Sequence, residues 1–221
     1  MTPRRYGALL LCATLLLAVQ GVAPPGAIQQ VAVSALAGAC VVLAIRAAEL
    51  SPRLLRLALM LATAVVVLSL IRATAGGISD GAARLANAAL LSIGPPAVAL
   101  GVIHDLRSTG RVELRAILGV LALYLLIGMA FAFTYGAIDQ LGSGDVFADG
   151  TEATVSHCLY FSFTTLTTVG YGDIVTQSDL GHTLAIFEAL LGQIYLVTVV
   201  SLLVGNLGRP ARMSERGESD R

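Results

Sequence analysis

Six apolar runs, each near the roughly 20 residues a helix needs to cross a hydrocarbon core, limit what this 221-residue chain can fold into. They lie at about 7–23, 28–48, 54–75, 83–103, 114–136 and 183–206. Lipid offers backbone N–H and C=O groups no partners, so each run must be a helix that satisfies its own. With 56% hydrophobic and 13% charged residues, the chain has too little charge to cover a soluble domain. The expected fold class is an all-α membrane protein with six transmembrane helices. The breaks between runs carry Pro, Gly or charge: Ala23-Pro24-Pro25-Gly26, Glu49 to Arg53, Gly76 to Gly81, and His104 to Arg115. Gly94-Pro95-Pro96 falls inside the fourth run, where two missing N–H groups predict a kink or a break.

Charge fixes the expected orientation. All 14 basic residues are Arg, and with the N-terminus inside only Arg72 and Arg84 fall on the outer side. Both termini are then cytoplasmic, in a plasma-membrane protein, and the long segment 137–182 faces out. The first run, with Arg4-Arg5 before it and Gly21-Val22-Ala23 after it, also resembles a cleavable signal peptide, although Pro24 is a poor cleavage context. Removal would leave five spans with the same orientation. The tail, 207–221, is short, mixed in charge and expected to be disordered. Cys12, Cys40 and Cys158 have no paired spacing and are expected to be free buried thiols.

The outer segment is too polar to span and too patterned for a plain loop. Val155 to Thr167 is apolar and aromatic, without Gly or Pro, and predicts a helix of about 13 residues, roughly 20 Å long. Such a helix stops partway through a bilayer, which is tolerated only where the following backbone lines a watery path inside protein. The strip that follows, Thr168-Val169-Gly170-Tyr171-Gly172, suits such a path. A cation in a narrow pore loses its water shell, and backbone carbonyls must replace it. Turning successive carbonyls toward one axis requires alternating ordinary and left-handed backbone, which Gly170 and Gly172 permit. Thr168 can add a hydroxyl oxygen, while Tyr171, Tyr160, Phe161 and Phe163 can brace the strip from behind. Thr164, at the end of this helix, is a further candidate support. The segment also holds Asp139, Asp145, Asp149, Glu152, Asp173 and Asp179 and no Arg or Lys, which would raise the local cation concentration.

Residues 168–173, Thr-Val-Gly-Tyr-Gly-Asp, preceded by Leu166-Thr167 and flanked by two spans, resemble the selectivity filter of the potassium-channel family. The resemblance covers about 114–206 and implies an outer helix, pore helix, filter and inner helix. It implies potassium ions held by the carbonyls of Thr168, Val169, Gly170 and Tyr171, and Asp173 packed or hydrogen-bonded against the pore helix. One filter strip per chain implies a homotetramer, since one strip cannot encircle an ion. The chain then divides into a four-helix region (1–106), a pore domain (107–206) and the tail. Many members of the family carry a Glu where this chain has Thr164, so inactivation tied to that Glu is not expected.

In the last run, Gly192 falls where the family commonly has a hinge glycine, and Glu188 is a carboxylate within a span, an expensive placement that implies protein or water around it. Two roles are open to Glu188: a hydrogen bond to the base of the pore helix near Thr164 or Thr165, or a titrating gate. Gln193, Val197, Val200 and Ser201 are candidates for the face lining the cavity. No span carries Arg at every third residue, so steep voltage sensing of that kind is not expected. His157 and His182 are possible outer proton sensors or incidental surface residues. No nucleophile–base pair, metal spacing or phosphate loop points to an enzyme, a cofactor or nucleic acid. The partners expected are further copies of the chain, potassium ions and membrane lipid. A non-selective cation channel and a scaffold or sensor retaining an inert pore are the competing readings.

Overall fold

The computed structural model describes residues 4–22, 26–75, 80–109, 114–142 and 145–207. It is all-helical: α1 (Arg4–Val22), α2 (Ala27–Ala47), α3 (Pro52–Ala75), α4 (Asp80–Leu91), α5 (Gly94–Thr109), α6 (Leu114–Leu141), α7 (Val155–Leu166) and α8 (Asp179–Leu207). Among the described residues the one β contact is an isolated antiparallel bridge, Phe147 to Thr176. Among the described residues six stretches are long and apolar enough to cross a membrane, the fourth being α4 and α5 taken together. The tail beyond 207, most of the turn Ala23-Pro24-Pro25-Gly26, residues 76–79 and Arg111 lie outside the described residues.

The fourth span breaks between Leu91 and Gly94. Pro95 and Pro96 sit in the first turn of α5, where their missing N–H groups would have had no helical acceptor anyway. The break is bridged by Ser92 N–H to Ala88 O (2.9 Å) and Ile93 N–H to Leu90 O (3.2 Å). The spans at 114–136 and 183–206 are longer than hydropathy alone indicates, at Leu114–Leu141 and Asp179–Leu207. Their polar ends continue the helix into the segment 137–182.

Helices α1, α4 and α5 all pack on α6, α2 packs on α1 and α3, and α7 lies against α6. Small residues allow the closest approach. A Cβ on Gly38 of α2 would lie 2.8 Å from Ala62 Cβ of α3. A buried polar cluster joins three helices: Ser34 and Ser69 share a 2.6 Å hydrogen bond, and Asn87 Nδ2 donates to Ser34 Oγ at 3.2 Å. In membranes such bonds each contribute about 0.6–2 kcal/mol. Among the described residues α8 packs only on α7 and α6, and its apolar side chains are largely exposed, with Ile186, Phe187 and Ile194 each more than 60% accessible.

Candidate functional site: the strip after α7

Helix α7 begins at a Thr154 cap whose side chain accepts the His157 N–H (3.1 Å) and ends at Leu166, with Thr167 as its C-cap. Its 12 residues span about 18 Å, a little over half of a hydrocarbon core. The chain then reverses onto the helix end. Thr168 N–H donates to Thr165 O, and the N–H groups of Val169 and Gly170 both donate to Thr164 O (2.9 and 3.1 Å). Thr164 thus holds the strip through its carbonyl, while its hydroxyl turns back to Phe161 O (3.0 Å).

Along the strip every second residue is left-handed: φ is +59° at Thr168, +52° at Gly170 and +78° at Gly172. In an ordinary extended strand successive carbonyls point to opposite sides; alternating the hand of the backbone turns them to one side. A Cβ at Gly170 or Gly172 would meet nothing within 4 Å, so glycine is required there for conformation and not for space. Thr168 has no such freedom. A β-branched residue at positive φ is strained by on the order of 1–3 kcal/mol, and the surrounding contacts must hold it. Nothing in the residue type signals that conformation.

Beside the strip, the rings of Tyr160 and Tyr171 stack at 6.0 Å with an 8° interplanar angle, and Tyr160 OH donates to Asp173 Oδ2 (2.8 Å). That bond pushes the Tyr160 phenol up to about 12. Asp173 Oδ1 accepts the Ile174 N–H, so both carboxylate oxygens are engaged. Phe161 corrects an expectation: it does not brace the strip but sits edge-on between Tyr135 (5.0 Å) and Phe147 (5.3 Å), buried on the far side of α7. Phe163 likewise turns to α6, where its ring would lie 2.7 Å from a Cβ on Gly128.

Glu188 is fully buried and meets the middle of α7, not Thr164 or Thr165. Its carboxyl hydrogen-bonds Ser162 Oγ and accepts from Tyr135 OH (2.9 Å), joining α8 to α7 and α6. Ser162 Oγ also donates to Gly128 O (2.7 Å). Two hydroxyl protons cannot serve three contacts, so with all three formed the third proton resides on Glu188. The sequence signalled the carboxylate but not its partners, because a lone Tyr or Ser in an apolar run has no distinguishing pattern.

Gly192, the hinge candidate, is a point of close packing between α8 and α7. Helix α8 is continuous through it, and a Cβ there would lie 2.0 Å from the carbonyl oxygen of Leu166, the last residue of α7. The same oxygen accepts from Tyr124 OH of α6 (3.1 Å). Tyr195, stacked on Tyr124 at 5.3 Å, donates to Val120 O and ties α8 to α6 one turn beyond Gly192. Neither tyrosine was singled out by the sequence. Gln193 is exposed in the isolated chain, as is Val197. His157 and His182 each pair with a backbone carbonyl, of Glu152 and Thr176, both at 2.7 Å. The three cysteines are buried and form no disulfide, with Cys40 Sγ donating to Cys12 Sγ at 3.4 Å.

A half-crossing helix, a strip with carbonyls turned to one side and two flanking spans define an ion channel domain, and the ion channel family model matches residues 119–208, from α6 through α8. An inward rectifier potassium channel, Kirbac3.1 of Paramagnetospirillum magnetotacticum, is 32% identical to this chain over 91 residues. The matched stretch covers 41% of this chain and 29% of that protein, so less than a third of the relative's length is represented. No solved structure matches the chain. The family match and the relative thus place the likeness to ion channels in the stretch from α6 through α8 of this multi-pass membrane protein.

Proposed function

We propose that the protein is a potassium-selective channel conducting ions passively through a central pore of four identical subunits. The observation that carries this reading is the alternation of left-handed backbone at Thr168, Gly170 and Gly172. Four such strips around an axis place rings of four carbonyls from Thr168, Val169, Gly170 and Tyr171, with the Thr168 hydroxyl at the inner end, where they can replace the water shell of a potassium ion. Gly172 closes the strip and Asp173 with Tyr160 braces it. The uncovered apolar surface of α8 supports assembly, because copies of the chain would cover part of it and lipid the rest. Each α7 aims its negative dipole end toward the axis, favouring a cation there.

In this reading residues 107–206 form the pore and the region 1–106 packs around it, in the plasma membrane with both termini cytoplasmic. The arrangement has no span with the Arg repeat of a voltage sensor, performs no chemistry on its ion, and uses no cofactor. Purified protein in liposomes, with potassium and sodium efflux measured separately, tests it. Potassium efflux far faster than sodium efflux, abolished by Gly170→Asp, is the expected result. Equal efflux of the two ions, or potassium efflux untouched by Gly170→Asp, would overturn the reading.

A further inference from the structure

Arg84 is the one charged residue of the fourth span, Gly81–Gly101. A charge in that setting is costly unless protein holds it. Here the main chain does so. Arg84 Nη1 donates to Ala153 O at 2.7 Å and lies 3.5 Å from Gly136 O of α6. Asp139, Asp145 and Glu152 border the same cleft, yet among the described residues none comes within ion-pairing distance of it. A guanidinium on a carbonyl makes a charge-assisted bond, stronger than one between neutral groups.

The surroundings are shaped to this side chain. Ala153 is buried and immediately precedes Thr154, the cap of α7. At Gly136 a Cβ would lie 2.6 Å from Arg84 Nη1 and 3.1 Å from its Cδ, so α6 leaves the guanidinium its room by having no side chain there. Three residues earlier in α4, a Cβ on Gly81 would lie 2.7 Å from Leu141 Cγ, which lays α4 tightly on α6. Helix α7 is thereby tied at three levels. Its start hangs from Arg84, its middle from Ser162 to Gly128 O and Glu188, and its end from Leu166 O to Tyr124. Of these three ties the first alone comes from the region 1–106.

We propose that Arg84 is the positioning residue through which the region 1–106 sets the geometry of the strip, and with it the preference for potassium over sodium. A helix moves as a rod, so a displacement at Thr154 is carried along α7 to Thr164, whose carbonyl holds Val169 and Gly170. The inference rests on the pore reading above and gives a role to α4, which lies outside the matched stretch 119–208.

Reversal potentials in planar bilayers, with potassium and sodium on opposite sides, compare the full wild-type chain with Arg84→Ala, Gly136→Ala and the double variant. Arg84→Ala removes the tie. Gly136→Ala keeps the charge but pushes the guanidinium, the far end of a flexible side chain, off Ala153 O. Each single variant lowers the potassium-to-sodium permeability ratio by roughly tenfold, as expected for one lost charge-assisted bond. Once the Arg84 side chain is gone it no longer obstructs a Cβ at 136, so the double variant matches Arg84→Ala instead of falling by the product. Hydrogen–deuterium exchange in detergent reads the positioning without conduction. The N–H groups of His157 and Cys158, both bonded to Thr154, exchange faster in each single variant. A ratio unchanged in either folded single variant, losses that multiply in the double variant, or unchanged exchange at 157 and 158 would overturn the proposal. Wild-type protein passing both ions equally would instead overturn the pore reading itself, and this role with it.

Discussion

The carbonyl oxygen of Leu166 occupies the space that a side chain on Gly192 would need, 2.0 Å from where its Cβ would stand. The end of α7 therefore rests directly on the backbone of α8. In an open helix Gly→Ala stabilises by about 1 kcal/mol. Here the Cβ meets backbone, so Gly192→Ala should instead destabilise by about 1–3 kcal/mol, read as a lower unfolding midpoint in detergent. A midpoint unchanged or raised would favour a hinge over a packing role.

The proton count at Glu188 makes a second prediction. If the carboxyl is neutral, Glu188→Gln preserves its shape and charge, and stability should change by less than about 1 kcal/mol with conduction retained between pH 6 and 8. Tyr135→Phe should cost about 1–2 kcal/mol, because it leaves a buried carboxyl oxygen short of a donor. Denaturation of the three proteins side by side checks this. A gate that titrates would show instead as a pH-dependent open probability lost in Glu188→Gln.

The bond from Tyr160 to Asp173 sets a pH window. The phenol is raised from its ordinary value near 10 to about 12, so the bond favours the protonated form. A raised folded-state value contributes stability that is fully present below about pH 10 and is lost as pH rises through about 12. Ion selectivity should therefore be constant from pH 7 to 9.5 in the wild-type protein. Tyr160→Phe should lower the potassium-to-sodium permeability ratio throughout that range, as measured by reversal potentials in planar bilayers.

Much of this fold was legible because lipid leaves few options. Run length and the Gly94-Pro95-Pro96 break gave six spans and an interrupted fourth, and the absence of Gly and Pro from 155–167 gave α7 almost to the residue. The strip was legible because two glycines spaced by one residue are a conformational signal. What escaped the sequence depends on which way a side chain faces across helices. Phe161 and Tyr160 are adjacent and both aromatic, yet one enters the core and the other braces the strip. Ser162, Tyr135 and Tyr124 are matched to partners 26 to 53 positions away, and no local pattern records such pairings.

Thr168 offers a contrast between strain and ligation. Thr168→Gly should relieve on the order of 1–2 kcal/mol of left-handed strain while removing the hydroxyl at the inner end of the strip. The unfolding midpoint should rise, and the potassium concentration for half-maximal conductance should rise as well. A gain in stability with no change in that concentration would remove the hydroxyl from the ion pathway.

The central claim is that main-chain oxygens of residues 168–171 hold a dehydrated potassium ion at an axis shared by four subunits. Anomalous scattering from the protein crystallised in thallium, a close mimic of potassium, measures this directly. The account predicts a row of thallium peaks on a four-fold axis, each within coordination distance of carbonyls from Thr168 to Tyr171. Peaks elsewhere, carbonyls turned from the axis, or an assembly without four-fold symmetry would contradict it.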